Sequence, residues 1–299
     1  MHLPPLRQLQ YLVELRDTLH FGRAAERLHV TQSTLSTGIK ELEGHLGVTL
    51  VDRTNKSVTF TEVGEHIADR GRYVLMQAED LVEEARAFSD PLSLPLKLGA
   101  IPTIAPYLIS DFIVSLRARF GGIKLNIREN TTASLLNEIV DNKLDLVLLA
   151  LPYETGQVET RTIYREGFHL ACHIDSEFVR GERIDFNALP DESLLLLDDV
   201  HCLREHALAG CRLKSQKKIH TFGANSLQML VQMVNNDLGV TLIPDMAVRA
   251  GILHGTSIRT QKLPVSRFYR DIGFAWRKGN SRQEFLNQII DRLPPQERC

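Results

Sequence analysis

The chain has 299 residues, 43% of them hydrophobic and 24% charged, with 35 Lys and Arg against 37 Asp and Glu for a net charge of −2. That length and apolar content support two or three domains with a real core, and the charge excludes a nonspecific nucleic-acid binder coated in basic residues. No apolar run approaches membrane-spanning length, and the opening MHLPPLRQLQ lacks the basic stretch and apolar core of a signal peptide. The expected location is therefore the cytoplasm, away from any membrane. Cys172, Cys202, Cys211 and Cys299 are too few for a disulfide scaffold, so thiols in a reducing compartment are expected.

In chain order, Leu6, Leu9, Leu12, Val13 and Leu15 fall mostly at helical spacing, and a second short helical stretch covers residues 21–28. Thr31 is a good N-cap for a third helix in which Leu35, Ile39, Leu42 and Leu46 make one apolar stripe. Ala24 and Ala25 are small enough for the second and third helices to cross closely, with residues 29–32 as the tight turn between them. This is the pattern of a helix-turn-helix. The remaining positions of the third helix, Gln32, Ser33, Thr34, Ser36, Thr37 and Lys40, are short polar or basic groups suited to base edges and phosphates of double-stranded DNA. Gly38 breaks helix propensity there, and its lack of a side chain would let the backbone approach DNA or a neighbouring helix. Residues 48–60 alternate as a two-stranded hairpin with Thr54, Asn55 and Lys56 at its tip, which makes Arg53 and Lys56 candidate phosphate contacts on a wing. Residues 1–65 carry seven Lys and Arg (Arg7, Arg16, Arg23, Arg27, Lys40, Arg53, Lys56) against eight Asp and Glu, so placement rather than bulk charge must supply DNA affinity.

A small helical bundle with solvated polar faces would fit the same pattern. However, RAAERLHVTQSTLSTGIKELEGHLGVTLVDRTNKSVTFTEVGE, residues 23–65, resembles the N-terminal signature of the LysR-type transcriptional regulators. The resemblance implies a winged helix-turn-helix that binds DNA.

Thr61 can cap a further helix to about residue 89, in which Val63, Ile67, Val74, Ala78, Leu81, Ala85 and Phe88 repeat at threes, fours and one seven. Such a heptad-like stripe is a pairing surface, unless the helix simply packs on its own chain. In the resembled family this segment is the dimerising linker helix. The segment DPLSLP at residues 90–95 cannot be helical throughout and marks a boundary. Beyond it, short strands (96–101, 123–128, 144–151, 168–174, 194–197, 240–243) alternate with helices (105–119, 135–142, 226–234), which predicts two α/β subdomains on a mostly parallel sheet. Three parts follow: residues 1–60 for DNA binding, 61–90 as linker helix and 91–299 as effector domain. A ligand would sit beyond the strand ends, where Thr103 follows the first strand and Thr131 and Thr132 follow the second, although Thr132 also suits an N-cap. LGAIPTIAPYL and GVTLIP resemble the effector domain of the same regulators, which implies a two-lobed, periplasmic-binding-protein-like (type II) fold.

The segment LLLLDDVHCLREHALAGC, residues 194–211, reads as an apolar strand and then a helix that Asp198 or Asp199 could cap, with Cys202 in the first turn. A thiol at a helix N-terminus has a stabilised thiolate, and His201 and Arg204 beside it could add positive potential. Cys211 lies nine residues on, roughly 13 Å away along a helix rising about 1.5 Å per residue. A disulfide needs Cα atoms about 4.4 to 6.8 Å apart, so a bond between these two would require the helix to unwind. Three readings stay open on spacing alone: a redox pair, two buried cysteines acting as small hydrophobes, or a metal site using Cys202, His206, Cys211 and His201.

HCLREHALAGC and PTIAPYL resemble the sensing segment and first crevice motif of the OxyR-type peroxide regulators. That resemblance implies Cys202 as the peroxidatic residue and Cys211 as the resolving one, joined as a reversible disulfide, with Thr103, Thr132, His201 and Arg270 holding hydrogen peroxide. It further implies a homodimer through the linker helix assembling to a homotetramer, a cellular thiol reductant, contact with RNA polymerase, and no cofactor or metal. A regulator of the same fold that binds a small metabolite is the competing reading. A peroxidase is disfavoured, since turnover needs a reductant site that nothing in the sequence resembles, so the chain is not expected to be an enzyme. The basic run RLKSQKK at residues 212–218 reads as a solvated loop, and Cys172 and Cys299 have no evident partner.

Overall fold

A computed structural model describes residues 3–54, 57–89, 94–152, 156–176, 185–199 and 201–291. The chain divides into two units, Met1–Phe88 and Ser89–Cys299. The first opens with helices α1 (Leu6–Thr18), α2 (Phe21–Arg27) and α3 (Gln32–Leu46). His20 Nδ1 accepts from the backbone N–H groups of Gly22 and Arg23 at 3.1 and 3.2 Å and caps α2. Thr31 Oγ1 accepts from Thr34 N at 3.1 Å, the cap expected for α3. Because that cap lies at position 31, the turn occupies residues 28–31 and Gln32 is already helical, one residue from the expectation. Leu9, Leu12, Leu15, Ala24, Ala25, Leu35, Ile39 and Leu42 form the core of this unit with Tyr11. Leu46 is exposed instead of closing the stripe, because α3 ends at Gly47 and its last turn runs past the core.

Gly38 has a packing explanation. A Cβ there would stand 2.5 Å from Cδ2 of the Tyr11 ring, so the missing side chain lets α1 and α3 close on each other. Gly38→Ala therefore separates two effects of opposite sign. Helix propensity alone would stabilise by about 1 kcal/mol; the clash with a buried ring is expected to dominate and lower the thermal midpoint of the first unit, read by scanning calorimetry.

Strands β1 (Val51–Thr54) and β2 (Ser57–Phe60) pair antiparallel, Val51 opposite Phe60, and Glu43 of α3 accepts from the backbone N–H groups of Leu50 and Val51 at 2.8 and 3.1 Å. The hairpin tip at Asn55 and Lys56 and the side chain of Arg53 lie outside the described residues. Thr61 Oγ1 accepts from Gly64 N at 2.9 Å and starts α4 (Glu62–Ser89). One face of α4, with Ala68 and Gly71 buried, packs on α1, where Arg16 pairs with Glu65 at 2.7 Å and with Asp69, and Asp17 pairs with Arg72. Another face leaves Val63, Tyr73, Val74, Leu81 and Val82 exposed. Of the expected stripe, Ile67 joins the core of its own unit whereas Val63, Val74 and Leu81 face solvent.

The second unit runs β3 (Leu96–Ala100), α5 (Ala105–Arg119), β4 (Leu125–Glu129), α6 (Thr132–Val140), β5 (Leu146–Leu151), β6 (Val158–His173), α7 (Cys202–Cys211), a 3₁₀ turn at Gln216–Lys218, α8 (Leu227–Asn235), β7 (Thr241–Pro244), α9 (Asp245–Arg249), β8 (Ile258–Lys262), β9 (Tyr269–Arg277) and α10 (Gln283–Ile290). The sheet order is β4-β3-β5-β9-β6-β7, with β8 also on β6. Only β3 with β4 and β3 with β5 are parallel; β9 pairs antiparallel with both β5 and β6, and β6 pairs antiparallel with β7 and β8. The sheet is therefore mixed, which corrects the expectation of a mostly parallel one. The cause is β6, whose residues 158–167 pair with β9 and whose residues 168–173 pair with β7 and β8. These returning strands need no crossover helix and run opposite to their neighbours. Residues 194–197 make only isolated bridges, to Ile219, Val240 and Ala224.

Two cores result. One gathers Leu98, Leu108, Phe112, Leu135, Leu148, Phe274 and Leu286; the other gathers Phe168, Leu170, Leu195, Leu203, Leu230, Leu242 and Phe268. Strand β6 feeds both lobes, so residues of the two lobes meet where its pairing passes from β9 to β7 and β8.

Candidate functional site

Helix α7 bridges the two cores. Leu203, Ala207 and Cys211 belong to the second core, whereas Cys202 packs against the first. The helix therefore delivers its first residue to the opposite lobe. Its N-cap is His201, with no side-chain capping bond; Asp198 and Asp199 do not take that place, because Asp199 pairs with Arg204 at 2.6 Å. Arg204 also donates to the carbonyl of Leu197 at 3.2 Å, so its charge is committed away from the sulfur.

His206, one turn on from Cys202 on the same face, takes the role sequence reasoning gave to its neighbours. Its Nδ1 donates to the Cys202 carbonyl at 2.7 Å and its Nε2 to the Leu151 carbonyl at 3.2 Å. Two carbonyl acceptors call for two N–H donors, which is the imidazolium form. Burial opposes that charge, but hydrogen bonds to the Cys202 thiol and to these carbonyls raise the His206 pKa on balance. The thiol responds in the opposite sense: burial pushes it up, yet hydrogen bonds from His206 and Thr132 and the fields of Arg270 and His206 outweigh burial and bring Cys202 below its ordinary value. Cys202 is a thiolate candidate because a cation and a hydroxyl face it at a helix N-terminus.

Beneath it lies a buried ion pair. Arg270 on β9 is fully buried and donates through Nε to Glu166 Oε2 at 2.6 Å, through Nη1 to Thr103 Oγ1 at 2.8 Å and through Nη2 to the Thr103 carbonyl at 3.0 Å. Glu166 on β6 also accepts from Met246 N at 2.6 Å. Every prong of the guanidinium is fixed. Thr132, first residue of α6, is buried and faces Cys202, while the N-cap of that helix is Thr131. The Tyr164 hydroxyl, in the field of Glu166 and Arg270, is buried with no hydrogen-bond partner among the described residues, and burial pushes its pKa upward.

Of the effector-domain residues singled out in the sequence, Cys202, Thr103, Thr132 and Arg270 converge here, and His201 stands at the cap. Glu166 was missed as a site group, and His206 was considered only as a possible metal ligand, not as the group acting on the Cys202 thiol. His206 had a usable signal, four residues after Cys202 on one helical face; Glu166 had none, because only pairing of β6 with β9 brings it to Arg270 (Glu166 opposite Arg270). Cys172, Cys202 and Cys211 are free thiols, and among the described residues no group of three His, Cys, Asp or Glu could hold a metal ion. Cys211 is fully buried at the far end of α7, and burial pushes its thiol up to about 12. Cys299 lies outside the described residues.

On the first unit, Gln32, Ser33, Thr34, Thr37 and Lys40 of α3 are exposed and Ser36 is half-buried. Ser33 and Thr34 hydroxyls share hydrogen bonds with Thr31 Oγ1 at 2.9 and 2.7 Å, which fixes the start of the helix.

Residues 6–65 match the bacterial regulatory helix-turn-helix protein of the lysR family, and residues 89–296 match the LysR substrate binding domain. The chain belongs to the LysR family. It is a DNA-binding transcriptional regulator with a winged helix-turn-helix and a LysR-type effector domain. The relatives it resembles include the HTH-type transcriptional regulator EstR of Acinetobacter baylyi, 38% identical over 97% of this chain and 96% of that protein. They also include the hydrogen peroxide-inducible genes activator of Dickeya chrysanthemi, 37% identical over 96% and 94%. Among solved structures, a full-length OxyR from Pseudomonas aeruginosa with one cysteine changed to aspartate is 35% identical, with a TM-score of 0.74 over 98% of this chain and 95% of that one. Among the described residues no helix is long and apolar enough to cross a membrane.

Proposed function

We propose that this LysR-family regulator senses hydrogen peroxide through a reversible Cys202–Cys211 thiol/disulfide switch and controls oxidative-stress genes. The observation that carries the reading is the setting of Cys202: a thiol brought below its ordinary pKa at a helix N-terminus, bonded by His206 and Thr132, with a second thiol at the other end of the same helix. Thr103, bonded to Arg270, and the Tyr164 hydroxyl, which has no partner among the described residues, add polar groups at the Glu166–Arg270 pair. Similarity to a hydrogen peroxide-inducible activator supports the same oxidant.

The chemistry balances without a metal. The Cys202 thiolate attacks one peroxide oxygen, the O–O bond breaks, and the leaving hydroxide takes a proton to become water; sulfur is oxidised to the sulfenic acid. Cys211 then displaces water from that sulfur, forming the disulfide. A cellular dithiol returns the pair to thiols by exchange. Since roughly 13 Å of helix must collapse to disulfide distance, α7 unwinds and its core residues leave the second lobe.

On the DNA side, Gln32, Ser33, Thr34, Ser36, Thr37 and Lys40 enter the major groove, Arg53 and Lys56 contact phosphates, and Thr103, Thr132, His201 and Arg270 surround the peroxide. The exposed face of α4 pairs two chains, a second pairing makes a tetramer, and oxidation alters the spacing of the recognition helices and the contact with RNA polymerase.

Stoichiometric peroxide is expected to give a Cys202–Cys211 cross-link in peptide maps and a shifted DNA footprint. A Cys202→Ser variant that still switches overturns the reading, and a footprint shifted by a small metabolite with both thiols intact would favour the competing one. Lys40→Ala and Arg53→Ala are expected to weaken DNA binding, and loss of one phosphate contact reduces the salt slope by about 1. An unchanged slope for Arg53→Ala removes Arg53 from phosphate binding.

A further inference from the structure

We infer that Arg267 is a positioning residue for the thiol switch, pinning the C-terminal end of α7 and so setting how readily Cys211 leaves its burial. The inference rests on the disulfide reading above. Arg267 Nε donates to the Gly210 carbonyl at 2.7 Å and its Nη2 to the Cys211 carbonyl at 3.1 Å. These belong to the last turn, where helix carbonyls have no partner within the helix, and a forked cation on two of them is a strong cap at the negative end of the dipole.

The fork is itself held in place. Arg267 N donates to the Pro264 carbonyl at 3.0 Å, and the guanidinium carbon lies 5.1 Å from the centre of the Phe268 ring. Phe268 is buried against Gly210, where a Cβ would come within 2.3 Å of the ring, so the segment bearing Arg267 is seated directly on the end of the helix. The backbone supplies one bond at this end, from Arg212 N to the Leu208 carbonyl at 3.3 Å, and leaves the Gly210 and Cys211 carbonyls to the fork. Arg212 follows Cys211 in the left-handed region (φ 48°), a position where glycine is favoured and a long side chain is not. The N-terminal end of α7 has no side-chain cap at all.

Both carbonyls are gripped while α7 is a helix, and both leave the fork when the helix unwinds to bring Cys211 to Cys202. The fork therefore stabilises the dithiol over the disulfide and places the couple at a more oxidising potential than the two cysteines would have alone. Arg267 is not among the groups acting on the Cys202 thiol, so the first step with peroxide proceeds without it.

The test uses the full-length protein and two measurements: the midpoint potential of the Cys202/Cys211 couple in dithiol buffers, and the rate of Cys202 sulfenylation in a Cys211→Ser background. For Arg267→Ala we expect the dithiol/disulfide equilibrium to move about tenfold toward the disulfide, about 30 mV lower for a two-electron couple, with sulfenylation within about twofold of wild type. Arg267→Lys keeps the charge over Phe268, loses the planar fork and is expected between the two; it also serves if the alanine variant does not fold. An unchanged potential in both variants, or sulfenylation slowed in parallel, overturns the inference. Absence of a Cys202–Cys211 disulfide in the wild-type protein overturns instead the reading beneath it.

Discussion

Arg270→Ala is expected to destabilise the effector unit by about 3 to 5 kcal/mol, the cost of leaving a buried charge without its partner. The partner is Glu166, whose side chain is 1% exposed and whose remaining oxygen is already engaged by Met246 N. Thr103 also loses both bonds that fix it at the end of β3. A second consequence is separate from folding: Cys202 loses one of the charges that hold it below its ordinary pKa, so its reaction with peroxide slows at neutral pH. The double variant Arg270→Met with Glu166→Gln disentangles the two, because removing both charges avoids the unpaired one and the introduced amide oxygen would still accept from Met246 N. Its stability by urea titration is expected to return most of the way to wild type while its peroxide reactivity stays low. A stable Arg270→Ala protein would remove the ion pair as a structural support, and a double variant with wild-type reactivity would remove Arg270 from activation of the thiol.

His206→Ala is expected to shift the pH profile of the peroxide reaction. The thiolate is the nucleophile, so the rate rises as pH climbs through the Cys202 pKa and then levels off. In the wild-type protein that rise comes below the ordinary thiol range; without the His206 hydrogen bond and charge, burial dominates and the midpoint moves upward. The rate at pH 7 falls of order tenfold, whereas the plateau at high pH changes little, because the sulfur is then ionised in both proteins. Stopped-flow rates across about pH 5 to 10 with a fixed excess of peroxide read both limbs. A variant slowed equally at every pH would mean that His206 positions peroxide instead of ionising the thiol. His201→Ala provides the contrast, with a midpoint expected to stay where it is, since that ring is not among the groups acting on the sulfur.

Much of this molecule is written at helical spacing and is legible from the chain alone. The stripe of Leu35, Ile39 and Leu42, the cap at Thr31, the helix at Ala105–Arg119 and the position of Cys202 in the first turn of α7 all follow from contacts within four residues. Tertiary structure decided the rest. Strands β8 and β9 and the first half of β6 gave no clear pattern of their own, because strand identity depends on the partner strand, and here the partners are about a hundred residues away. That pairing alone sets Glu166 opposite Arg270, turns an expected parallel sheet into a mixed one and brings the two lobes to one place. The sequence by itself determined a DNA-reading helix-turn-helix and a thiol at a helix N-terminus, since both are local. Only the fold decided which distant groups face that thiol, because Thr132 and Arg270 reach it from other strands and helices, with Glu166 holding Arg270 in place, and a sequence carries no distance between residues so far apart along the chain.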